Sequence, residues 1–294
     1  MINESLLDKA LGAYLGFACG DALGATVEFM SPKQIQRRYG VHRDIIGGGW
    51  LALEPGQVTD DTQMSLTLGQ AIIDHRGWNP IAVADGFLEW FESDPPDIGN
   101  TCRRGLERYR KTGELLGPPR EDDAGNGACM RNLPVVLATI KRPDYFIEWS
   151  LQQSRITHNH PISDAATLAL GCITGQLLNG QTVDACYRVA ENLISEYPEF
   201  AYCPYPGESS AYIVDTVQTV LHCFFNNEDF ESCLTATVNQ GGDADTTGAL
   251  AGMLAGARYG VQNIPKRWLN RLDFTVSDTI HAQTPVLIDI AQCL

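Results

Sequence analysis

Apolar residues recur along most of this chain at the three- and four-residue spacing of amphipathic helices. The spacing is clearest from Leu6 to Cys19, behind a capping-box-like Ser5-x-x-Asp8. Alternating patterns long enough for β-strands are missing, and Gly- and Pro-rich turns separate the helical stretches. Further helices are predicted near residues 62–76, 80–92, 128–140, 144–154, 162–178, 182–196, 209–225, 229–238 and 245–258. The pattern predicts an all-α protein.

Two of the predicted helices carry glycine at every fourth position. The glycines are Gly12, Gly16, Gly20 and Gly24 in the first helix, and Gly248, Gly252, Gly256 and Gly260 in the second. Each glycine inside a helix costs about 1 kcal/mol relative to alanine. Because such a cost needs an offsetting gain, the two stripes predict close approach of helix backbones in the core.

Composition changes this picture in three ways. With 294 residues, 44% of them apolar, and no linker-like segment, the chain predicts one compact domain over residues 1–294. A net charge of −15 argues against nucleic-acid or anionic-membrane binding. Nine cysteines without a Cys-x-x-Cys pair indicate reduced thiols. Since no signal peptide and no apolar run near 20 residues is found either, we expect a cytoplasmic protein without membrane insertion.

Two acidic motifs begin predicted helices, Thr59-Asp60-Asp61 and Asp243-Ala244-Asp245-Thr246. Taken singly, either motif is explained by helix capping, for which Asp and Thr are preferred. Taken together, four carboxylates would balance the charge of two divalent cations, and all the donors are oxygen. This donor set favours Mg²⁺ or Mn²⁺ over zinc. The sequence therefore predicts a two-metal site whose ligands are Thr59, Asp60, Asp61, Asp243, Asp245 and Thr246.

Three other segments carry candidate chemistry. The run Asp243-x-Asp245-x-Thr247 also matches the nucleophile motif of a class of phosphatases, in which it follows a buried strand, so a metal-dependent phosphatase stays an alternative. The turn Gly125-Asn126-Gly127 could direct backbone N–H groups at a phosphate. Residues 157–161, which contain a His-x-His, favour a structured loop over a metal site, and residues 97–101 are predicted to form a surface turn.

Five strings in their order along the chain carry a specific resemblance. They are Gly20-Asp21-Ala22-Leu23-Gly24-Ala25-x-x-Glu28, Thr59-Asp60-Asp61-Thr62, Gly125-Asn126-Gly127-Ala128, Thr157-His158 and Gly241-Gly242-Asp243-Ala244-Asp245-Thr246. Over about residues 8 to 260 the chain resembles the ADP-ribosylglycohydrolase family. The resemblance implies an all-α fold, a binuclear Mn²⁺ or Mg²⁺ centre and cytoplasmic action.

The resemblance also assigns roles to residues of this chain. It implies that Asp97 and Glu28 are the catalytic carboxylates nearest the scissile ribose. It places Tyr212 in a stack on adenine and Glu121 at the adenosine end. The remaining residues implied to line the ADP-ribose cleft are Asn100, Thr101, Cys102, Gly125, Asn126, Gly127 and His158. The six residues of the two acidic motifs match the metal-binding motifs of the family.

Three further strings indicate a branch of the family, namely Gly47-Gly48-Gly49-Trp50, the run 99–105 and the run 209–216. They resemble members that act on dinitrogenase reductase, the nitrogenase iron protein. The implied reaction hydrolyses the N-glycosidic bond of ADP-ribosyl-arginine, which releases ADP-ribose and reactivates the target. The resemblance also implies regulation by a PII signalling protein, and we expect a monomer. A non-catalytic ADP-ribose-binding module remains a second alternative.

Overall fold

A computed structural model describes residues 3–294 and shows an all-helical protein, as predicted. The helices are α1 (Glu4–Gly24), α2 (Pro32–Tyr39), α3 (Asp60–Asp74), α4 (Pro80–Glu92), α5 (Asn100–Thr112), α6 (Gly127–Met130), α7 (Leu133–Ala138), α8 (Pro143–Arg155), α9 (Pro161–Leu178), α10 (Val183–Glu196), α11 (Ile213–Phe225), α12 (Phe230–Val238), α13 (Ala244–Tyr259), α14 (Lys266–Leu269) and α15 (Phe274–Cys293). Among these residues β-pairing is limited to two isolated bridges, Gly48 with Leu53 and Gly125 with Tyr212. None of the helices described is long and apolar enough to cross a bilayer.

The glycine stripes lie where α1 and α13 pack against each other in antiparallel orientation. A Cβ atom added to Gly16 would lie 2.5 Å from the carbonyl oxygen of Gly252, and one added to Gly20 would lie 2.0 Å from that of Gly248. Such distances leave no room for a methyl group, so the prediction of close backbone approach is confirmed. At the end of the pair Gly24 meets Ala244, which brings the C-terminus of α1 to the N-terminus of α13.

Two details of the predicted helices are wrong. The first helix is capped by Asn3, whose side chain accepts the Ser5 N–H at 2.9 Å, so Ser5-x-x-Asp8 lies inside the helix. Asparagine is as strong an N-cap as serine and comes earlier in the chain. The stretch 128–140 is divided into α6 and α7, with Pro134 at the start of α7.

Helices α2, α5, α14 and α15 were not predicted from the apolar pattern. Helix α5 is mostly polar, with only Cys102, Gly105, Leu106 and Tyr109 buried, so its apolar stripe is weak. The prediction of a surface turn over residues 97–101 is wrong, because Asn100 begins α5 and Asp97 is half-buried. The structured loop expected at residues 157–161 is confirmed, since His160 caps α9.

Candidate active site

A cleft of about 440 Å³ opens where the N-termini of α3, α5 and α13 converge. The predicted site residues that line it are Glu28, Asp60, Asp97, Asn100, Thr101, Cys102, Glu121, Gly125, Asn126, Gly127, His158, Tyr212, Asp243, Asp245 and Thr246. Thr59 and Asp61 do not line it but lie fully buried beneath it. The structure therefore gathers in one place residues that are scattered over most of the chain.

Asp21 positions the N-terminus of α3, although sequence reasoning gave it no role. It is fully buried near the end of α1 and accepts the backbone N–H groups of Thr59 at 3.0 Å and Thr62 at 3.1 Å. It also accepts the Thr62 hydroxyl at 2.5 Å. The signal in the sequence is a single charged residue in the part of α1 that follows Lys9, and the contact explains it.

The two acidic motifs meet at Asp61. Its Oδ2 accepts the hydroxyl of Thr246 from α13 at 3.2 Å and the hydroxyl of Thr59 at 3.2 Å. Thr59 is the N-cap of α3, and its side chain also accepts the Asp61 N–H. One carboxylate thus joins the beginnings of two helices that are far apart in the chain.

A second group of carboxylates converges at the wall of the cleft. Glu28, Asp97 and Asp245 each place one oxygen so that the three atoms lie within 4.8 Å of one another, a geometry that could hold a metal ion. The resemblance assigned Glu28 and Asp97 to catalysis and Asp245 to metal binding. In the structure they share one location, so the same carboxylates can serve both purposes.

The electrostatics of the acidic cluster formed by these carboxylates and those of the two acidic motifs favour the binding of a cation. Burial, reinforced by neighbouring carboxylates, raises the pKa of Asp60 to about 8 and that of Glu28 to about 8. The pKa values of Asp61 and Asp245 are raised for the same reasons. Asp61 Oδ1 and Asp245 Oδ1 are buried without a hydrogen-bond partner. Because unpaired buried carboxylate oxygens are destabilising, a divalent cation with oxygen ligands fits this site.

Capping alone does not account for the second acidic motif. Asp243 occupies the N-cap position of α13, yet its side chain makes no capping hydrogen bond. Its Oδ2 instead accepts the side-chain amide of Asn126 at 2.5 Å. The phosphatase alternative is wrong, because helix α12 precedes the motif and residues 3–294 contain no strand for it to follow.

The glycine turn at residues 125–127 forms a hydrogen bond to the second acidic motif and leaves space for a histidine ring. The side-chain amide of Asn126 donates to both Asp243 and Thr216, so its two hydrogens are already used. A Cβ atom on Gly125 would lie 3.1 Å from Nε2 of His158, and one on Gly127 would lie 2.9 Å from its Cε1. The glycines therefore leave room for the His158 ring beside the cleft.

The first turn of α5 presents backbone donors to the cleft. Its N-cap is Gly99, which has no side chain to occupy them, so the N–H groups around Asn100 and Thr101 are available to an anion. Glu121 lies in a short 3₁₀-helix at the rim. Tyr212 is 45% exposed at the start of α11, which leaves its ring free to stack.

An exposed aromatic pair beside the acidic cluster was not predicted as part of the site. The indole N–H of Trp50 donates to Glu28 Oε2 at 2.5 Å, and the ring of Phe29 lies 5.4 Å from that of Trp50. Both rings are more than half exposed. The available signal was a tryptophan directly after three glycines, all of which adopt positive φ.

Comparison with known proteins agrees with this geometry. The family model for ADP-ribosylglycohydrolase matches residues 2–292. The chain is 53% identical to the ADP-ribosyl-[dinitrogen reductase] glycohydrolase of Rhodospirillum rubrum, covering 99% of each chain. It is 34% identical to the ADP-ribosylarginine hydrolase Tri1 of Serratia proteamaculans, covering 92% of this chain and 77% of that one. A solved ADP-ribosylglycohydrolase-related protein complex superposes with a TM-score of 0.86 at 33% identity, covering 98% of this chain and all of the other. The chain belongs to the ADP-ribosylglycohydrolase family.

Proposed function

We propose that this chain hydrolyses the N-glycosidic bond between ADP-ribose and an arginine side chain of a protein, and that it needs divalent cations to do so. The observation that carries the proposal is the group Glu28, Asp97 and Asp245, which converges at a cleft with an exposed aromatic ring, Tyr212. Family membership and the activities named for the Rhodospirillum and Serratia relatives support this substrate class.

The charges in the cleft orient such a substrate. Carboxylates repel the pyrophosphate, so the phosphates would lie against the N–H groups at the start of α5 rather than against the acidic cluster. The uncharged ribose would then reach Glu28, Asp97 and Asp245, while adenine would reach Tyr212. This direction also leads the arginine toward the exposed Trp50 and Phe29, whose faces can bind a guanidinium group.

The reaction breaks the bond between ribose C1″ and the guanidine nitrogen and joins a water oxygen to C1″. One proton of the water must leave, and the guanidine must be protonated as it departs. Asp97 and Glu28 are the residues proposed to move that proton, since both line the cleft and burial raises the pKa of each. Two Mn²⁺ or Mg²⁺ ions, held by Thr59, Asp60, Asp61, Asp243, Asp245 and Thr246, would supply Lewis-acid chemistry and orient the ribose hydroxyls.

The protein target proposed is dinitrogenase reductase, because the Rhodospirillum relative is named for that substrate and matches along 99% of the chain. Reactivation of the target would follow from release of ADP-ribose. Regulation by a PII protein, the monomeric state, cytoplasmic location and a single domain over residues 1–294 stay predictions.

A direct assay tests the proposal. A peptide bearing ADP-ribosyl-arginine is incubated with the protein and Mn²⁺ or Mg²⁺, with and without EDTA, and free ADP-ribose is measured. We expect release that requires the metal and stops with EDTA. A protein that binds ADP-ribose with either metal but releases none would instead be a binding module. ADP-ribosyl-serine peptide serves as the control for linkage specificity.

A further inference from the structure

Arg131 is a buried charge without an ionic partner. It lies between α6 and α7 and is 0% exposed. The ion pairs within residues 3–294 do not include it. Burial of a guanidinium without a carboxylate is costly unless its donors are satisfied. Such a residue calls for an explanation that packing alone does not give.

Neutral groups accept from Nε and Nη2 of Arg131, while its Nη1 contacts only the sulfur atoms of Met64 and Cys102. Its Nε donates to Gln153 Oε1 at 2.8 Å, and its Nη2 donates to the Gln153 carbonyl and to Thr157 Oγ1, each at 2.8 Å. The Phe87 ring lies 4.4 Å from the guanidinium. Gln153 is itself oriented, since its amide donates to the Ala128 carbonyl. The guanidinium is therefore held in one orientation.

This arrangement determines where the protons of Thr157 and His158 lie. A guanidinium has no acceptor, so Thr157 Oγ1 must accept from Arg131. The same oxygen lies 2.7 Å from Nδ1 of His158. A hydroxyl that accepts from a cation becomes a stronger donor, so its proton goes to Nδ1. If Nδ1 of His158 instead donated to Thr157 Oγ1, the hydroxyl proton of Thr157 would have to go to the sulfur atom of Cys102, which is a weak acceptor.

The other ring nitrogen of His158 faces the cleft. Nδ1 is occupied by Thr157, and His158 lines the cleft beside Gly125 and Gly127. Nε2 has no hydrogen-bond partner within residues 3–294. Burial, followed by the charges of Arg131 and Arg104, lowers the pKa of His158 well below its usual value. The ring is therefore neutral and carries a single proton.

We propose that Arg131 is a positioning residue that acts through the Thr157 hydroxyl to hold His158 as the neutral tautomer with its proton on Nε2, from which it donates to an anionic oxygen of the ligand. The identity of the ligand rests on the proposed function, whereas the tautomer does not. The role assigned to Arg131 is thus separate from the metal site, and it explains why an arginine is buried beside a nucleotide cleft.

The test reads the tautomer directly. Protein labelled with ¹⁵N-histidine is examined without ligand by long-range ¹H–¹⁵N correlation, and the His158 signals are assigned by their loss in His158→Gln. We expect the Nε2–H pattern at pH 6 to 8. Thr157→Val removes the hydroxyl at nearly constant shape, and Thr157→Ser keeps it as the matched control. Arg131→Met is a harsher variant, used only if its thermal unfolding remains cooperative.

Thr157→Val should shift His158 toward the Nδ1–H tautomer and weaken ADP-ribose binding by about tenfold, the value of one hydrogen bond. Thr157→Ser should keep both the tautomer and the affinity. An Nδ1–H tautomer in the unmodified protein, or an unchanged tautomer in Thr157→Val, would overturn the proposal. If the tautomer is as expected but ADP-ribosyl-arginine is not hydrolysed, the proposed function fails and the assignment of the His158 tautomer stands.

Discussion

Asp97 shows how one side chain in this cleft can have two roles. It is half-buried between α4 and α5, and burial raises its pKa. A carboxyl group with a raised pKa is suited to proton transfer near neutral pH. The same oxygen atoms lie close enough to Glu28 and Asp245 to share a cation. The two roles respond differently to loss of the charge.

Asp97→Asn keeps the size of the side chain and removes its basicity. If Asp97 moves the proton, kcat should fall by about 10²–10⁴-fold, the usual contribution of a general acid or base. Metal content and ADP-ribose affinity should persist. Single-turnover rates, bound metal and ADP-ribose binding are measured on one preparation. Asp94→Asn, an exposed position of the same loop, is the matched control. Lost metal with rescue by added Mn²⁺ would instead identify Asp97 as a ligand.

Tyr212→Ala tests the opposite end of the cleft. The ring is 45% exposed, as expected for a surface on which a base can stack. Stacking of a base on an aromatic side chain is worth about 1–3 kcal/mol. Because the stack would be equal in the ground and transition states, KM should rise while kcat changes little. Tyr212→Phe keeps the ring and should remain near the unmodified protein. A kcat defect without a KM effect would contradict the stacking role.

At the scale of secondary structure, the α1–α13 pair sets the geometry of the site. The absence of side chains at Gly16, Gly20, Gly248 and Gly252 lets the two backbones touch. This contact places Asp21, near the end of α1, and Asp245, in the first turn of α13, beside the start of α3. The stripes therefore determine how closely the carboxylates approach one another.

Gly16→Ala should destabilise the protein although alanine is the better helix former. The added methyl would lie 2.5 Å from the Gly252 carbonyl oxygen, and overpacking of this kind costs about 1–3 kcal/mol. Gly175→Ala in α9 is the matched control, because nothing lies within 4 Å of the added atom. That substitution should stabilise by up to about 1 kcal/mol. Urea unfolding measures both, and equal effects of the two substitutions would contradict the packing argument.

At the scale of the whole molecule, the acidic cluster makes stability depend on pH and on cations. Asp21, Glu28 and Asp60 have pKa values of about 6, 8 and 8 in the folded protein, raised from 3.8, 4.5 and 3.8 chiefly by burial. A raised pKa means that the folded state binds more protons than the unfolded state. The corresponding stability is present below about pH 4 and is lost as the pH rises through these values.

Metal-free protein should therefore show a Tm that falls between about pH 5 and pH 8, because carboxylates then ionise against one another. Saturating Mn²⁺ or Mg²⁺ should raise the Tm most at pH 8, since a cation binds the ionised form. Calorimetry with EDTA and with metal measures both effects. Asp60→Asn removes one of the buried charges and should flatten the decline. A metal-free Tm that rises across this range would contradict the assignment.

Much of this protein could be predicted from short stretches of its sequence. The helices α1, α3, α4, α8, α9, α10, α11, α12 and α13 followed from apolar periodicity, and the glycine stripes from the cost of glycine in a helix. The acidic motifs at the starts of α3 and α13 could be read as well. All of these features depend on residues only a few positions apart, so they can be recognised from the sequence alone. The polar α5 was missed because its apolar stripe is weak.

Which groups share the site depends on how the helices pack in three dimensions. Asp21 accepts the backbone N–H of Thr59, which lies 38 positions away in the chain. Thr246 donates to Asp61 across 185 positions. The role of Arg131 depends on Thr157 approaching within 2.8 Å of it. Apolar periodicity does not predict such contacts, because they result from how the helices pack. The sequence determined the types of chemical group and the helices that carry them, whereas packing determined which carboxylates face one another and are left without partners.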